Sequence, residues 1–345
     1  MSRLETLRGR LDERLLVTNL VNIRYLTGFD SSNAALLVDP RGPTRLYTDF
    51  RYIEAAEAVP DVEAVQAKRT LLVDLAGRLR GRLAFEADVL PYAQFETLRE
   101  GGLELVPASG IVETQRAVKD EDEIDLIHRA ALAADRAFEA LTAETWIGHS
   151  ERELAWRLRQ LLHARGADAV AFESVIAAGP NGARPHGEPG DDIVRENTLV
   201  VADWGAQVDG YCSDCTRTLA TGEPPKELRR AFDVCLEAQL AAVEGIKPGM
   251  TGHQADDIAR SIITEAGFGE AFGHGLGHGV GVAVHEAPRL AAESKDVLEP
   301  GNIVTIEPGI YLPGVGGVRI EDLAVVRDDG IELLTSFPKE FAFVS

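Results

Sequence analysis

The chain has 345 residues, 45% of them hydrophobic, with 35 Lys and Arg against 56 Asp and Glu, a net charge of −21. The apolar share is enough to bury a core, and at roughly 150 residues per domain the length predicts two domains. So acidic a balance argues against nucleic-acid binding, whose affinity rests on basic contacts to phosphate, while it suits divalent cations and substrates with a positive amino group. Solubility alone accounts for most of the acids. The three cysteines, Cys212, Cys215 and Cys235, give no disulfide framework. The first residues scatter charge without the apolar core of a signal peptide, and no apolar run approaches the roughly 18 residues needed to span a bilayer. A cytoplasmic, reducing location is expected.

In chain order, residues 35–38 and 46–48 read as strands around the turn Asp39-Pro40-Arg41-Gly42-Pro43. A helix is predicted over 51–58, a strand at 62–65, a helix over 71–79 and a strand at 83–85. Another helix covers 91–99, opened by Pro91, whose missing N–H costs nothing there, and a strand follows at 103–106. This is a small α/β domain, 1–113. After the turn-rich stretch 107–110, residues 120–141 read as a long amphipathic helix. Its Ile124, Ile127, Ala131 and Ala134 fall near helical spacing, and acids crowd its first turn, where the macrodipole favours them. The second domain is therefore placed at 114–345. It continues with a helix over 151–165, then becomes β-rich and glycine-rich beyond 170, with helices over 226–244 and 253–265. An α+β arrangement is expected, an antiparallel or mixed sheet with helices on one side.

Three stretches carry chemistry. An apolar strand runs into Asp203, a turn at Asp209-Gly210 follows, and a second strand returns through Asp214. The two carboxylates can face one another across this hairpin, with a register offset left open. Two acids on a half-buried face repel one another, and a divalent cation relieves that cost. The second stretch, from Phe272, places His274, His278 and His285 within twelve positions. Gly275, Gly277, Gly279 and Gly281 disfavour a helix, so a zincin-like pair is excluded. A glycine-rich loop entering a strand is expected, its backbone close to a ligand or metal. In the third stretch Glu307 ends an apolar strand and Glu321 lies on the returning one, with Asp322 on the opposite face in a solvent role. Four carboxylates and one imidazole are more than one ion needs. Two ions roughly 3.5–4 Å apart would fit, with a bridging hydroxide as nucleophile. Cys212-Ser213-Asp214-Cys215 is a single CxxC without a second pair, a weak metal or redox signal.

The order Asp203, Asp214, His278, Glu307, Glu321 resembles the pita-bread metallopeptidases, which include methionine aminopeptidase, prolidase, aminopeptidase P and creatinase. GHGVGVAVHE from Gly277, EPGIY from Glu307 and GVRIED from Gly317 are similar to the proline-peptidase branch, as are KDEDEID from Lys119 and NIRYLTGF from Asn22. The resemblance implies a pita-bread catalytic domain preceded by a creatinase-like domain, an Xaa-Pro exopeptidase, and a homodimer acting on proline-containing peptides. It implies two divalent ions, Mn(II) before Zn(II) or Co(II). Asp203 would hold one ion, His278 and Glu307 the other, and Asp214 and Glu321 would bridge. Glu307 would also transfer protons. His186, in Arg184-Pro185-His186-Gly187, would contact substrate, and His285 would bond the scissile carbonyl. His274 would wall the proline pocket. Arg319 would orient ligand carboxylates or touch substrate, with a plain structural ion pair as the other reading. An extra N-terminal domain disfavours methionine aminopeptidase, and the complete ligand set disfavours creatinase and a non-catalytic binding module. Between aminopeptidase P and the dipeptide-restricted prolidase, the reading leans to the aminopeptidase.

Overall fold

The computed structural model describes residues 2–345. The chain divides into two compact units, Met1–Arg116 and Ala117–Ser345. No helix among the described residues is long and apolar enough to cross a membrane.

The first unit is built on a six-stranded sheet. Its strands lie side by side in the order Glu63–Gln66, Arg45–Thr48, Ala34–Val38, Leu15–Val17, Gly81–Glu86 and Leu103–Ala108. Ala34–Val38 runs antiparallel to both neighbours, while the other pairings are parallel. The hairpin around the proline-rich turn therefore forms as its turn chemistry predicts. Ala34–Val38 is buried at every position, the mark of a central strand covered on both faces. The NIRYLTGF stretch becomes the helix Leu20–Thr27, opened by the Asn19 side chain and closed by Gly28 at φ 72°. That left-handed closing conformation is open to glycine without strain.

The second unit is α+β, and its strand pairings are antiparallel throughout. Two helix pairs cover it: Glu121–Thr142 with Glu151–Ala164, and Lys226–Gly245 with Gly252–Glu265. Three of these four helices begin with reciprocal capping boxes, Asp120 with Glu123, Ser150 with Glu153 and Thr251 with Gln254. Each box satisfies N–H groups that the helix itself cannot, so the sequence fixes where these helices start.

Each pair seals a core against one face of a sheet. Under the first, Phe138 stacks on Trp204 with ring centroids 3.7 Å apart, and Trp146 meets Phe138 edge-on at 6.1 Å. Both indole nitrogens donate to helix carbonyls, Trp204 to Ala134 and Trp146 to Leu141. Val200, Ala202 and Trp204 of the strand Leu199–Trp204 face this core, so period-two alternation turns Asp203 the other way. Under the second pair, Val304, Ile306, Ala324 and Val326 pack with Ala231, Phe232 and Ile263. Alternation then leaves Thr305, Glu307 and Glu321 on the opposite face. It also corrects the solvent role expected of Asp322. Asp322 does oppose Glu321, but its face is the core side, and the residue is 1% exposed.

The C-terminal segment bonds the end of the outer strand of the sheet Val175–Ala178, Leu199–Trp204 and Cys215–Ala220. There Ala220 N donates to Ala342 O at 2.9 Å and Val344 N to Ala220 O at 2.8 Å.

Phe138→Ala removes the ring between both indoles. Urea unfolding is expected to show a loss of about 3–5 kcal/mol; a change below about 1 kcal/mol would show that the aromatic stack does not organise this half.

Candidate active site

The first hairpin turns at Asp209 and Gly210, with φ 48° and 86°. Two consecutive positive φ values match the type I′ turn that suits the strand twist. The same register runs from Val208↔Tyr211 to Asp203↔Thr216. Asp214 thus stands two residues from the partner of Asp203. A two-residue step preserves the face, so the carboxylates are diagonal neighbours and not directly opposed.

The second pair is opposed. The ladder pairs Ile306↔Asp322 and Gly309↔Arg319 bracket it, placing Glu307 across from Glu321 in a break between ladders. Pro308 has no N–H to continue the pairing. The freed backbone groups go elsewhere: Glu307 N donates to Leu276 O at 2.8 Å and Glu321 N to Thr216 O at 3.0 Å.

His278 sits on the strand Gly277–Gly279. A Cβ on Gly277 would lie 2.0 Å from Thr305 O, and one on Gly279 2.1 Å from Ala287 O. The close approach these two glycines allow is thus to neighbouring strands, where the sequence suggested a ligand or metal. It draws His278 into the cluster. Nδ1–H of His278 donates to Gly279 O at 3.1 Å, which aims Nε2 inward. Nε2 lies 3.3 Å from Glu307 Oε1 and 3.7 Å from Asp214 Oδ2. Asp214, His278 and Glu321 each offer a ligand atom, all within 4.8 Å of one another.

Arg319, 4% exposed, connects the rest. Its Nη2 donates to Asp203 Oδ2 at 2.7 Å and its Nε to Thr216 Oγ1 at 3.0 Å. Nη1 donates to Pro185 O and to the Tyr311 hydroxyl. Thr216 in turn donates to Glu321 Oε2 at 2.6 Å, and Thr305 to Glu307 Oε1 at 3.0 Å.

Burial and the neighbouring carboxylates push Asp214 and Glu321 well above the usual carboxylate range. Burial also raises Asp203, against the pull of Arg319. Burial works to raise Glu307 too, but the bond from His278 brings it down to about 2; His278, which burial would lower, is lifted to about 9 by Glu307. Asp203 Oδ1 is buried without a hydrogen-bond partner. An orphaned carboxylate oxygen beside crowded acids and an inward-aimed imidazole fits divalent cations.

The other histidines divide. His274 is half-buried, with Nδ1 2.8 Å from Gly275 O and Nε2 2.9 Å from the Tyr311 hydroxyl. The Tyr311 hydroxyl also accepts from Arg319, which leaves its own proton available to His274 Nε2 in a neutral imidazole. Burial lowers its pKa in the same sense. His285 is exposed, its ring 4.4 Å from that of His278. Partial burial, then His278 and, more weakly, His186 hold its pKa down. His186 is exposed. Sequence reasoning passed over Thr216, Thr305 and Tyr311. Period two was the available signal for the threonines, which lie two positions after Asp214 and two before Glu307.

Thr216→Val keeps the shape but removes the hydroxyl between Arg319 and Glu321. A stability loss of about 1–3 kcal/mol is expected, together with roughly 10–100-fold weaker Mn(II) binding by calorimetry. Wild-type affinity would show that the hydroxyl does not orient Glu321.

Comparison with known proteins gives this arrangement a setting. Residues 3–118 match the Creatinase/Prolidase N-terminal domain, and residues 125–328 match Metallopeptidase family M24. An Xaa-Pro dipeptidase of Pyrococcus furiosus is 36% identical over 98% of this chain and 99% of its own length. The solved structure of an Xaa-Pro dipeptidase from Bacillus anthracis superposes with a TM-score of 0.94 at 40% identity, covering 99% of both chains. That of an X-Pro aminopeptidase from Thermotoga maritima does so with 0.89 at 33% identity, covering 100% of both. With both matches and full-length likeness in hand, the chain belongs to metallopeptidase family M24 and has the pita-bread fold that its motifs imply.

Proposed function

We propose that this metallopeptidase is an Xaa-Pro dipeptidase using two divalent cations held by Asp203, Asp214, His278, Glu307 and Glu321. The observation that carries the reading is the convergence of Asp214, His278 and Glu321 within 4.8 Å, beside the unpartnered oxygen of Asp203. Asp214 and Glu321, at the centre of the cluster, would hold the ions together with Asp203, His278 and Glu307. An oxygen-rich set with one imidazole favours Mn(II), with Co(II) and Zn(II) as further ions of suitable chemistry. When bound, the ions supply Lewis acidity that polarises the scissile carbonyl and lowers the pKa of water toward neutrality.

The chain's own groups do the rest. Glu307, beside the reacting centre, accepts the proton of the attacking water and passes it to the leaving imino nitrogen. His285, its ring 4.4 Å from that of His278, offers an N–H to the carbonyl oxygen as charge develops there. His186 contacts substrate from the neighbouring loop. The amide before proline has no N–H, so the ring is recognised by shape. His274 suits that wall, because both its ring nitrogens are already bonded within the protein. Arg319 spends its donors on Asp203, Thr216, Pro185 and Tyr311, which suits an orienting group better than a substrate contact.

The dipeptidase reading replaces the lean toward the aminopeptidase. The Xaa-Pro dipeptidases of Pyrococcus furiosus and Bacillus anthracis stand at 36% and 40% identity, against 33% for the aminopeptidase from Thermotoga maritima.

Chelator-stripped protein refilled with Mn(II), Co(II) or Zn(II) is expected to hydrolyse Xaa-Pro dipeptides and to leave Xaa-Pro-Xaa tripeptides intact. Efficient tripeptide cleavage would return the aminopeptidase reading; no cleavage of either by folded, metal-loaded protein would leave a peptide-binding module. Asp214→Asn and His278→Ala are each expected to abolish turnover with little unfolding by circular dichroism. Near-normal activity in either would sink the ligand assignment.

A further inference from the structure

Glu321 lies between the strands Gly316–Arg319 and Asp322–Val326, outside both ladders. Something other than the sheet must hold its main chain. Its N–H goes to Thr216 O. Its carbonyl, on the far side of the peptide, accepts from Cys215 Sγ at 3.4 Å and from Nη1 of Arg217. Thr216 and Arg217 are adjacent on the strand Cys215–Ala220 and so project to opposite faces. Thr216 reaches the Glu321 carboxylate, while Arg217 reaches the backbone of the same residue from behind.

Arg217 is 2% exposed. Its fork is divided among several acceptors. Nη2 donates to Asp322 Oδ1 at 2.8 Å, and Nη1 also to Thr216 O at 2.9 Å. Nε donates to Phe337 O at 3.1 Å and Pro338 O at 3.0 Å. Asp322 accepts further from Gln239, Thr335 and Lys339. The segment that supplies these carbonyls is itself fixed. Ser336 donates to Asp135 through N and Oγ, and the Phe337 ring meets Phe138 edge-on at 4.9 Å.

We infer that Arg217 is a positioning residue for Glu321, locked in place by residues 336–339, and that it sets the affinity of the metal centre from the core side. A plain ion pair would need Asp322 alone. A fork spread over Asp322 and four main-chain carbonyls instead ties Glu321 to the C-terminal segment through one rigid plane. Lysine, a point charge with three donors, cannot reproduce that fork.

The inference rests on the metal reading above, and the experiment separates the two. Co(II) affinity by chelator competition, the Co(II) visible absorption spectrum and the thermal midpoint would be measured on the full-length wild type and on Arg217→Met, Arg217→Lys and Lys339→Met. Wild-type chain is expected to bind Co(II). Arg217→Met should bind about 10–100-fold more weakly, with an altered spectrum. Arg217→Lys should recover part of the loss, and Lys339→Met should shift in the same direction by less. A folded Arg217→Met protein with lowered thermal midpoint but wild-type affinity and spectrum overturns the inference and leaves the metal reading standing. Should Arg217→Met fail to fold, Lys339→Met decides: weakened binding supports the inference, and unchanged affinity and spectrum overturn it. A folded wild type that binds no Co(II) overturns both.

Discussion

Four carboxylates and one imidazole share a small volume from which water is largely removed, and their mutual repulsion is the constraint that the rest of the second unit answers. Burial and like charge raise Asp214 and Glu321 far from their ordinary range. Such a cluster persists only where the framework cannot relax away from it. The stacked Phe138 and Trp204 on one side and the aliphatic core under the second helix pair on the other supply that framework. Arg319 supplies the cation nearest the acids, bonded to Asp203 and reaching Glu321 through Thr216.

The candidate ligands also occupy a particular kind of backbone. Asp214, Glu307 and Glu321 all fall between strands, where the ladder has stopped but the direction of the chain continues. There the alternation of faces still aims the side chain, while the peptide groups are free to bond across sheets, as Glu307 N does to Leu276 O and Glu321 N to Thr216 O. Four antiparallel segments are thereby tied together around the acids.

Much of this was legible in the residues. The helix over 120–141 announced itself through apolar spacing and an acidic first turn, Asp203 and Glu307 through carboxylates that end apolar strands, Asp214 and Glu321 through the strands that return to them, and His278 through its place in a glycine-rich histidine cluster. What escaped has a common cause. Whether the second face of a strand meets water or a second core depends on elements far away in the chain, so Asp322 was assigned to solvent although it pairs with Arg217 across 105 positions. The offset of Asp214 from the partner of Asp203 needed the turn centre, which φ values fix and residue names only suggest. Arg217 and Tyr311 gave no local signal, because the groups they bond, Asp322 and main-chain carbonyls for the one and His274 and Arg319 for the other, are brought in by tertiary folding. The helices Arg3–Arg8 and Ile111–Ala117 are 6 and 7 residues long, too short for periodicity to stand out.

The strip of chain along Ala220 has a bearing on how the molecule behaves before it is complete. On its outer side the strand Cys215–Ala220 is bonded at Thr216 O by Glu321 N and at its last residue, Ala220, by Ala342 and Val344. During synthesis, the hairpin bearing Asp203 and Asp214 leaves the ribosome more than a hundred residues ahead of that cover. An uncovered edge is a template for pairing with another molecule. Until those later residues arrive, a nascent chain would expose that border behind the acidic cluster. Both pairings would thus shield the strand from self-association as well as support the site.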